Sequence, residues 1–201
     1  MSAPLDESGF ASRARAVRLL LLDVDGVLTD GRIILGGEGP DLKAFHAQDG
    51  LGITLARAAG LQVAFLTGRQ SLAVTRRARE LHVDHLLQGR PDKGAALEEL
   101  CATAGIAPEQ VAAMGDDWID LPLLERAGLA ACPADARPEV AARCHFVAGR
   151  QGGRGAVRDF VDRLLAARGQ LDDLLEQYRR GEGPAAAAQP TASAGGAATG
   201  Q

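Results

Sequence analysis

Four consecutive leucines, Leu19 to Leu22, close the run Val17–Leu22 and lead straight into Asp23, with Asp25 and Gly26 close behind. An apolar run without polar alternation fits a strand covered on both faces, which is the habit of parallel sheets between helical layers. Further along, strand-like and helix-like segments alternate. The strands are QVAFL (62–66), His85–Leu87, Val111–Met114 and Leu129–Ala131; the helices are 50–59, 71–81, 93–104 and 120–127. This alternation predicts an α/β fold, a Rossmann-like, doubly wound parallel sheet. Ligands of such sheets bind at the carboxyl ends of the strands.

That edge is where the polar residues gather. Asp23 follows the first strand and Asp25 stands two residues on. Thr67-Gly68-Arg69 follows the second strand, and Gly115-Asp116-Asp117 follows Val111–Met114, with Asp120 in the next turn. Lys93 opens the helix after QGRPD. Carboxylates crowded in this way repel one another, and a divalent cation removes that cost. All-oxygen ligands favour Mg²⁺, which takes few carboxylates and a substrate phosphate. In this pattern Asp23 suits a nucleophile toward phosphorus. Asp25 suits the acid that protonates the leaving oxygen and then deprotonates water. Lys93 and Thr67 suit stabilisation of the phosphoryl oxygens, with Gly68, Asp117 and Asp120 in support. A second reading, a phosphorylation-dependent receiver-like signalling domain, uses a similar acidic edge. The Asp-x-Asp-Gly-Val order favours the hydrolase.

The rest of the composition is permissive. The chain has 201 residues, 46% hydrophobic and 24% charged, with net charge −4, which suits one domain and suggests no nucleic-acid or acidic-membrane partner. Cys101, Cys132 and Cys144 lack metal-ligand spacing and read as reduced thiols of a cytoplasmic protein. Residues 1–16 read as a flexible tail without a signal-peptide core, 17–180 as the domain, and 181–201, rich in Ala, Gly and Pro, as a disordered tail.

The stretches DVDGVLTDG, LTGR, Lys93 and GDDWID resemble the four motifs of the haloacid dehalogenase (HAD) phosphatase superfamily, over about Val17 to Glu176. LKAFHAQDGLGI, QGRPDKG, GRQGGRGAVRDF and ARGQLDDLL narrow the resemblance to its capless members acting on an eight-carbon acidic sugar phosphate, 3-deoxy-D-manno-octulosonate (KDO) 8-phosphate. The resemblance implies a Mg²⁺-dependent phosphatase in lipopolysaccharide precursor synthesis, with Asp23, Asp25 and Asp116 as the metal set. A phosphatase of a nine-carbon, sialic-acid-type sugar phosphate is the alternative.

The intervals Asp30–Thr67 and Thr67–Lys93 leave no room for a cap domain. The segment GRIILGGEGPDLKAFHA reads as a small β-hairpin around Gly-Gly-Glu-Gly. In the resembling family such hairpins pack in a homotetramer. Arg150–Arg158, glycine-rich and cationic, is expected to be a mobile clamp over a neighbour's site. Candidate substrate contacts are Asp25, His46, Ala47, Gln48, Asp49, Gly50, Arg69, Arg77 and Lys93, with Arg76 and Arg79 on the same helix as Arg77. Gln48 stands where the family usually carries a basic residue.

Overall fold

The structure is a computed structural model that describes residues 6–35 and 42–184. Six strands, β1 (Leu19–Asp23), β2 (Gln62–Leu66), β3 (His85–Leu87), β4 (Val111–Met114), β5 (Leu129–Cys132) and β6 (Phe146–Val147), form one sheet in the order β3-β2-β1-β4-β5-β6. Every neighbouring pair is parallel. The helices are α1 (Glu7–Ala16), α2 (Ala47–Ala58), α3 (Leu72–Glu80), α4 (Lys93–Ala104), the single turns α5 (Leu121–Leu124) and α6 (Pro138–Ala141), α7 (Ala156–Ala167) and α8 (Leu171–Arg179).

The leucine run behaves as its lack of alternation predicts. Leu20 and Leu22 enter one core, with Val63, Phe65, Ala112 and Met114 from the flanking strands and Phe160, Val161 and Leu164 from α7. Leu19 and Leu21 enter the opposite core, with Ala64, Leu66, Val111 and Ala113 and with Leu97 and Leu100 from α4. All four leucines are fully buried. The pleat thus sends alternate residues of one apolar run to two different cores. Register then fixes the site: Asp23 pairs with Leu66, so Thr67 lies one step past it, and Leu22 pairs with Met114, so Gly115-Asp116 leaves the sheet alongside.

Several expectations need correction. The expected flexible stretch 1–16 contains a helix over Glu7–Ala16. Asp6 caps it by accepting from Gly9 N at 2.7 Å, and Phe10 and Ala14, one turn apart, are buried. Its far end is closed by Arg168, whose Nη1 donates to the carbonyls of Ala14 and Val17, each at 2.9 Å. The expected helix 120–127 is only the turn Trp118–Asp120 followed by α5. The hairpin appears as an antiparallel bridge between Ile34 and Leu42; its Gly-Gly-Glu-Gly tip lies outside the described residues, as does the tail from 185 on.

Candidate active site

The backbone leaves β1 at Asp23 in a wide turn, Val24–Leu28, in which Asp25 is extended (φ −83°, ψ 108°) and Gly26 takes φ +97°. A β-carbon on Gly26 would lie 2.1 Å from Asp116 Oδ2. Glycine is therefore required twice over, by its dihedral angle and by the carboxylate resting on it.

Lys93, the first residue of α4, is buried beneath the nucleophile candidate. Its Nζ lies 2.7 Å from Asp23 Oδ1 and 2.5 Å from Asp120 Oδ1. Burial pulls the lysine pKa down, but the two carboxylates more than offset it and hold it above its usual value. Asp120 is fully occupied: Oδ1 meets Lys93, and Oδ2 accepts from the N–H groups of Asp116 (3.0 Å) and Asp117 (3.2 Å). Its role is to brace the loop after β4 and to seat Lys93. Asp117 caps the turn Trp118–Asp120, accepting from Trp118 N at 2.7 Å.

Carboxylate oxygens of Asp23, Asp116 and Asp120 lie within 4.8 Å of one another, a set able to hold a metal ion. Since Asp120 has spent both oxygens, Asp23 and Asp116 are the open ligands. Burial, then the charge of Asp120, raises Asp23 to about 7 despite Lys93. Burial, then the charges of Asp23 and Asp120, raises Asp116 to about 8. Oxygen donors that destabilise one another in this way fit a hard divalent cation.

The Asp25 side chain stands outside this triad. It forms an ion pair with Lys43, whose side chain is only 7% exposed. Lys43 is absent from the sequence-derived set. The one available signal was a cation inside the otherwise apolar Leu-Lys-Ala-Phe, next to the hairpin return. Thr67 is buried at the end of β2, its Oγ1 accepting from Arg69 N at 3.2 Å; Gly68 and Arg69 lie exposed beside it.

The five residues 46–50 separate into two groups. His46 is half-buried, and Ala47 and Gln48 are exposed. Asp49 is buried and caps α7 from a distance, accepting from Gly155 N (3.1 Å) and Arg158 N (2.9 Å). Gly50 is buried beneath the Arg77 guanidinium. Arg77 pairs with Glu80 at 2.9 Å and sits 5.9 Å over the Phe45 ring. Asp49, Gly50 and Arg77 are thus each engaged by groups of the chain itself.

The Arg150–Arg158 segment is also fixed within its own chain. Gly153 N donates to Val27 O at 2.9 Å, Gly152 N to Asp135 Oδ1 at 2.9 Å, and a β-carbon on Gly152 would meet Gly26 O at 1.8 Å. Its glycines serve close approach to the Val24–Leu28 turn. Trp118, on the turn after Asp117, is 56% exposed and donates Nε1–H to Glu139.

A parallel sheet carrying Asp-x-Asp-Gly on its central strand, with Thr67, Lys93 and Asp116 around it, defines a haloacid dehalogenase-like hydrolase, and the model of that family matches residues 85–160. The chain is 46% identical to the 3-deoxy-D-manno-octulosonate 8-phosphate phosphatase KdsC of Escherichia coli K12 over 166 residues, 83% of this chain and 88% of that one. The crystal structure of the Yersinia pestis 3-deoxy-D-manno-octulosonate 8-phosphate phosphatase superposes with TM-score 0.79 at 44% identity, covering 82% and 89% of the two chains. That of the Moraxella catarrhalis phosphatase, in complex with magnesium ion, phosphate ion and KDO, superposes with TM-score 0.82 at 36% identity over 84% and 97%. The chain belongs to the 3-deoxy-D-manno-octulosonate 8-phosphate phosphatase family of these hydrolases.

Proposed function

We propose that the protein hydrolyses KDO 8-phosphate to KDO and inorganic phosphate, with Mg²⁺ as cofactor, in lipopolysaccharide precursor synthesis. The observation that carries the reading is the buried Asp23 carboxylate at the mouth of the central strand, held by Lys93 at 2.7 Å and joined by Asp116. The relatives named for this reaction and the Moraxella catarrhalis complex supply the substrate.

Asp23 attacks phosphorus, the bond from phosphorus to the C8 oxygen breaks, and Asp25 delivers a proton to that oxygen. Water then attacks the phospho-aspartate, Asp25 takes its proton, and phosphate leaves with Asp23 restored. Lys93 and the Thr67 hydroxyl bear on the phosphoryl oxygens. Asp23 and Asp116 would hold Mg²⁺, which would supply neutralisation of the charge between nucleophile and phosphate. Exposed Arg69, Gln48 and Ala47 and half-buried His46 are the candidates left to meet the sugar acid.

No helix among the described residues is long and apolar enough to cross a membrane. The buried, unpaired Cys101, Cys132 and Cys144 suit a reducing compartment, which we take to be the cytoplasm. Exposed Ile33, Ile34, Leu35 and Leu42 on the projecting arm suit burial between copies of the chain, and we assign the working form as a homotetramer. The direct test is phosphate release from a panel of eight- and nine-carbon sugar phosphates with Mg²⁺. Selective turnover of KDO 8-phosphate is expected; preference for a nine-carbon substrate overturns the assignment.

A further inference from the structure

The ion pair between Lys43 and Asp25 has no place in the chemistry just given. Lys43 lies just past the Ile34–Leu42 bridge, on the return leg of the arm that reaches toward the first-strand turn. Its ammonium meets Asp25 Oδ1, and its side chain is 7% exposed while that of Asp25 is 21% exposed. Among the described residues, Asp25 Oδ2 carries no hydrogen bond. Asp25 also sits on extended backbone immediately before Gly26 at φ +97°, so no helix or strand ladder fixes its side chain. The carboxylate is therefore held by one oxygen and open at the other.

We propose that Lys43 is a positioning residue that fixes the rotamer of Asp25, so that Oδ2 faces the leaving-group oxygen. The inference rests on the acid–base role assigned to Asp25 above. The lysine does not touch the reacting atoms in this account. It removes the rotational freedom of a short side chain on an irregular turn, and a proton donor loses its effect when displaced by even about 1 Å. A second consequence concerns the arm. Through Lys43, the projecting segment that bears Ile34 and Leu42 is tied to the catalytic turn, so displacing the arm displaces Asp25.

The test exploits leaving groups. The alkoxide of a sugar is a poor leaving group and needs a donated proton, whereas p-nitrophenolate does not. For each variant the quantity read is the ratio of kcat/KM for KDO 8-phosphate to kcat/KM for p-nitrophenyl phosphate, because kcat/KM reports the first, leaving-group-expelling step. Lys43→Met should lower this ratio by about tenfold or more, and Lys43→Arg should restore most of it. In an Asp25→Asn background, Lys43→Met should lower the ratio no further, since there is then no donor to position. An equal fall for both substrates would make Lys43 a charge for the phosphoryl group, or a folding residue, and overturn the proposal. An unchanged ratio for Lys43→Met while Asp25→Asn loses it would refute Lys43 alone. If Asp25→Asn itself keeps the ratio, the acid assignment fails and this inference fails with it.

Discussion

Asp23 and Asp116 sit where burial and mutual repulsion meet, and the consequences run through metal binding, pH and turnover. Asp23→Asn is expected to reduce phosphate release to background with the fold intact by circular dichroism; turnover near wild type would remove Asp23 from the nucleophile role. Asp25→Asn should cost about 10²–10⁴-fold and accumulate phospho-aspartate that intact-mass spectrometry detects. The raised values of about 7 and 8 for Asp23 and Asp116 make a linkage prediction. In the unfolded chain both titrate near about 4. Without metal, the folded state therefore keeps protons that the unfolded chain has released, and the contribution of these groups to stability is lost as pH rises through the folded values. Mg²⁺ needs both carboxylates ionised, so the rise in Tm from EDTA to Mg²⁺ should be larger at pH 8.5 than at pH 6. A Tm gain independent of pH would refute the site as drawn.

Gly26 also belongs to this scale. The sequence showed a glycine that lets the chain turn; it could not show that Asp116, ninety positions on, rests over it. Asp23, Asp25, Thr67, Lys93 and the acidic loop after β4 could be placed at one sheet edge because each lies just past a strand or opens a helix. The partners of Asp49 and Asp25 were not, because they are set by packing between segments with no shared periodicity.

Among the elements, α1 shows how a polar-looking stretch hides a docked helix. Of ten residues only Phe10 and Ala14 are buried, and the rest of its attachment is to groups far along the chain: Arg168 on its last carbonyls, Arg163 4.2 Å over the Phe10 ring, and Phe146 at 6.3 Å. No local pattern announces that. Phe10→Ala should cost about 3–5 kcal/mol in denaturant unfolding while leaving KM of the remaining folded enzyme unchanged. The capping of α7 by Asp49 is similarly non-local, and Asp49→Ala, which strands one buried and one part-buried N–H donor, should cost about 1–3 kcal/mol. If Asp49 instead bound the sugar, KM would rise with stability intact. In contrast, β1 to β5 and the helices α2, α3 and α4 were legible within a few residues, since apolar runs and helical periodicity set them, whereas the two-residue β6 carries no such pattern.

For the whole molecule, the strand order separates this fold from the receiver-like alternative, whose doubly wound sheets run 2-1-3-4-5, against β3-β2-β1-β4-β5-β6 here. Assembly is tested by light scattering: a tetramer is expected, and replacing Ile33, Ile34 and Leu42 with serine should dissociate it. A wild-type monomer with full activity would contradict the assignment.

The position of β1 between β2 and β4 also governs how the enzyme comes into being. As the chain emerges during synthesis, the nucleophile strand appears early but lacks its second neighbour until Val111–Met114 has been made. Until then one flank of a leucine-rich strand is an unpaired, sticky edge, and Asp23 has neither Asp116 nor Asp120 beside it. A growing chain is thus catalytically silent and at its most vulnerable to misassociation over the same interval, which ends when β4 slots in.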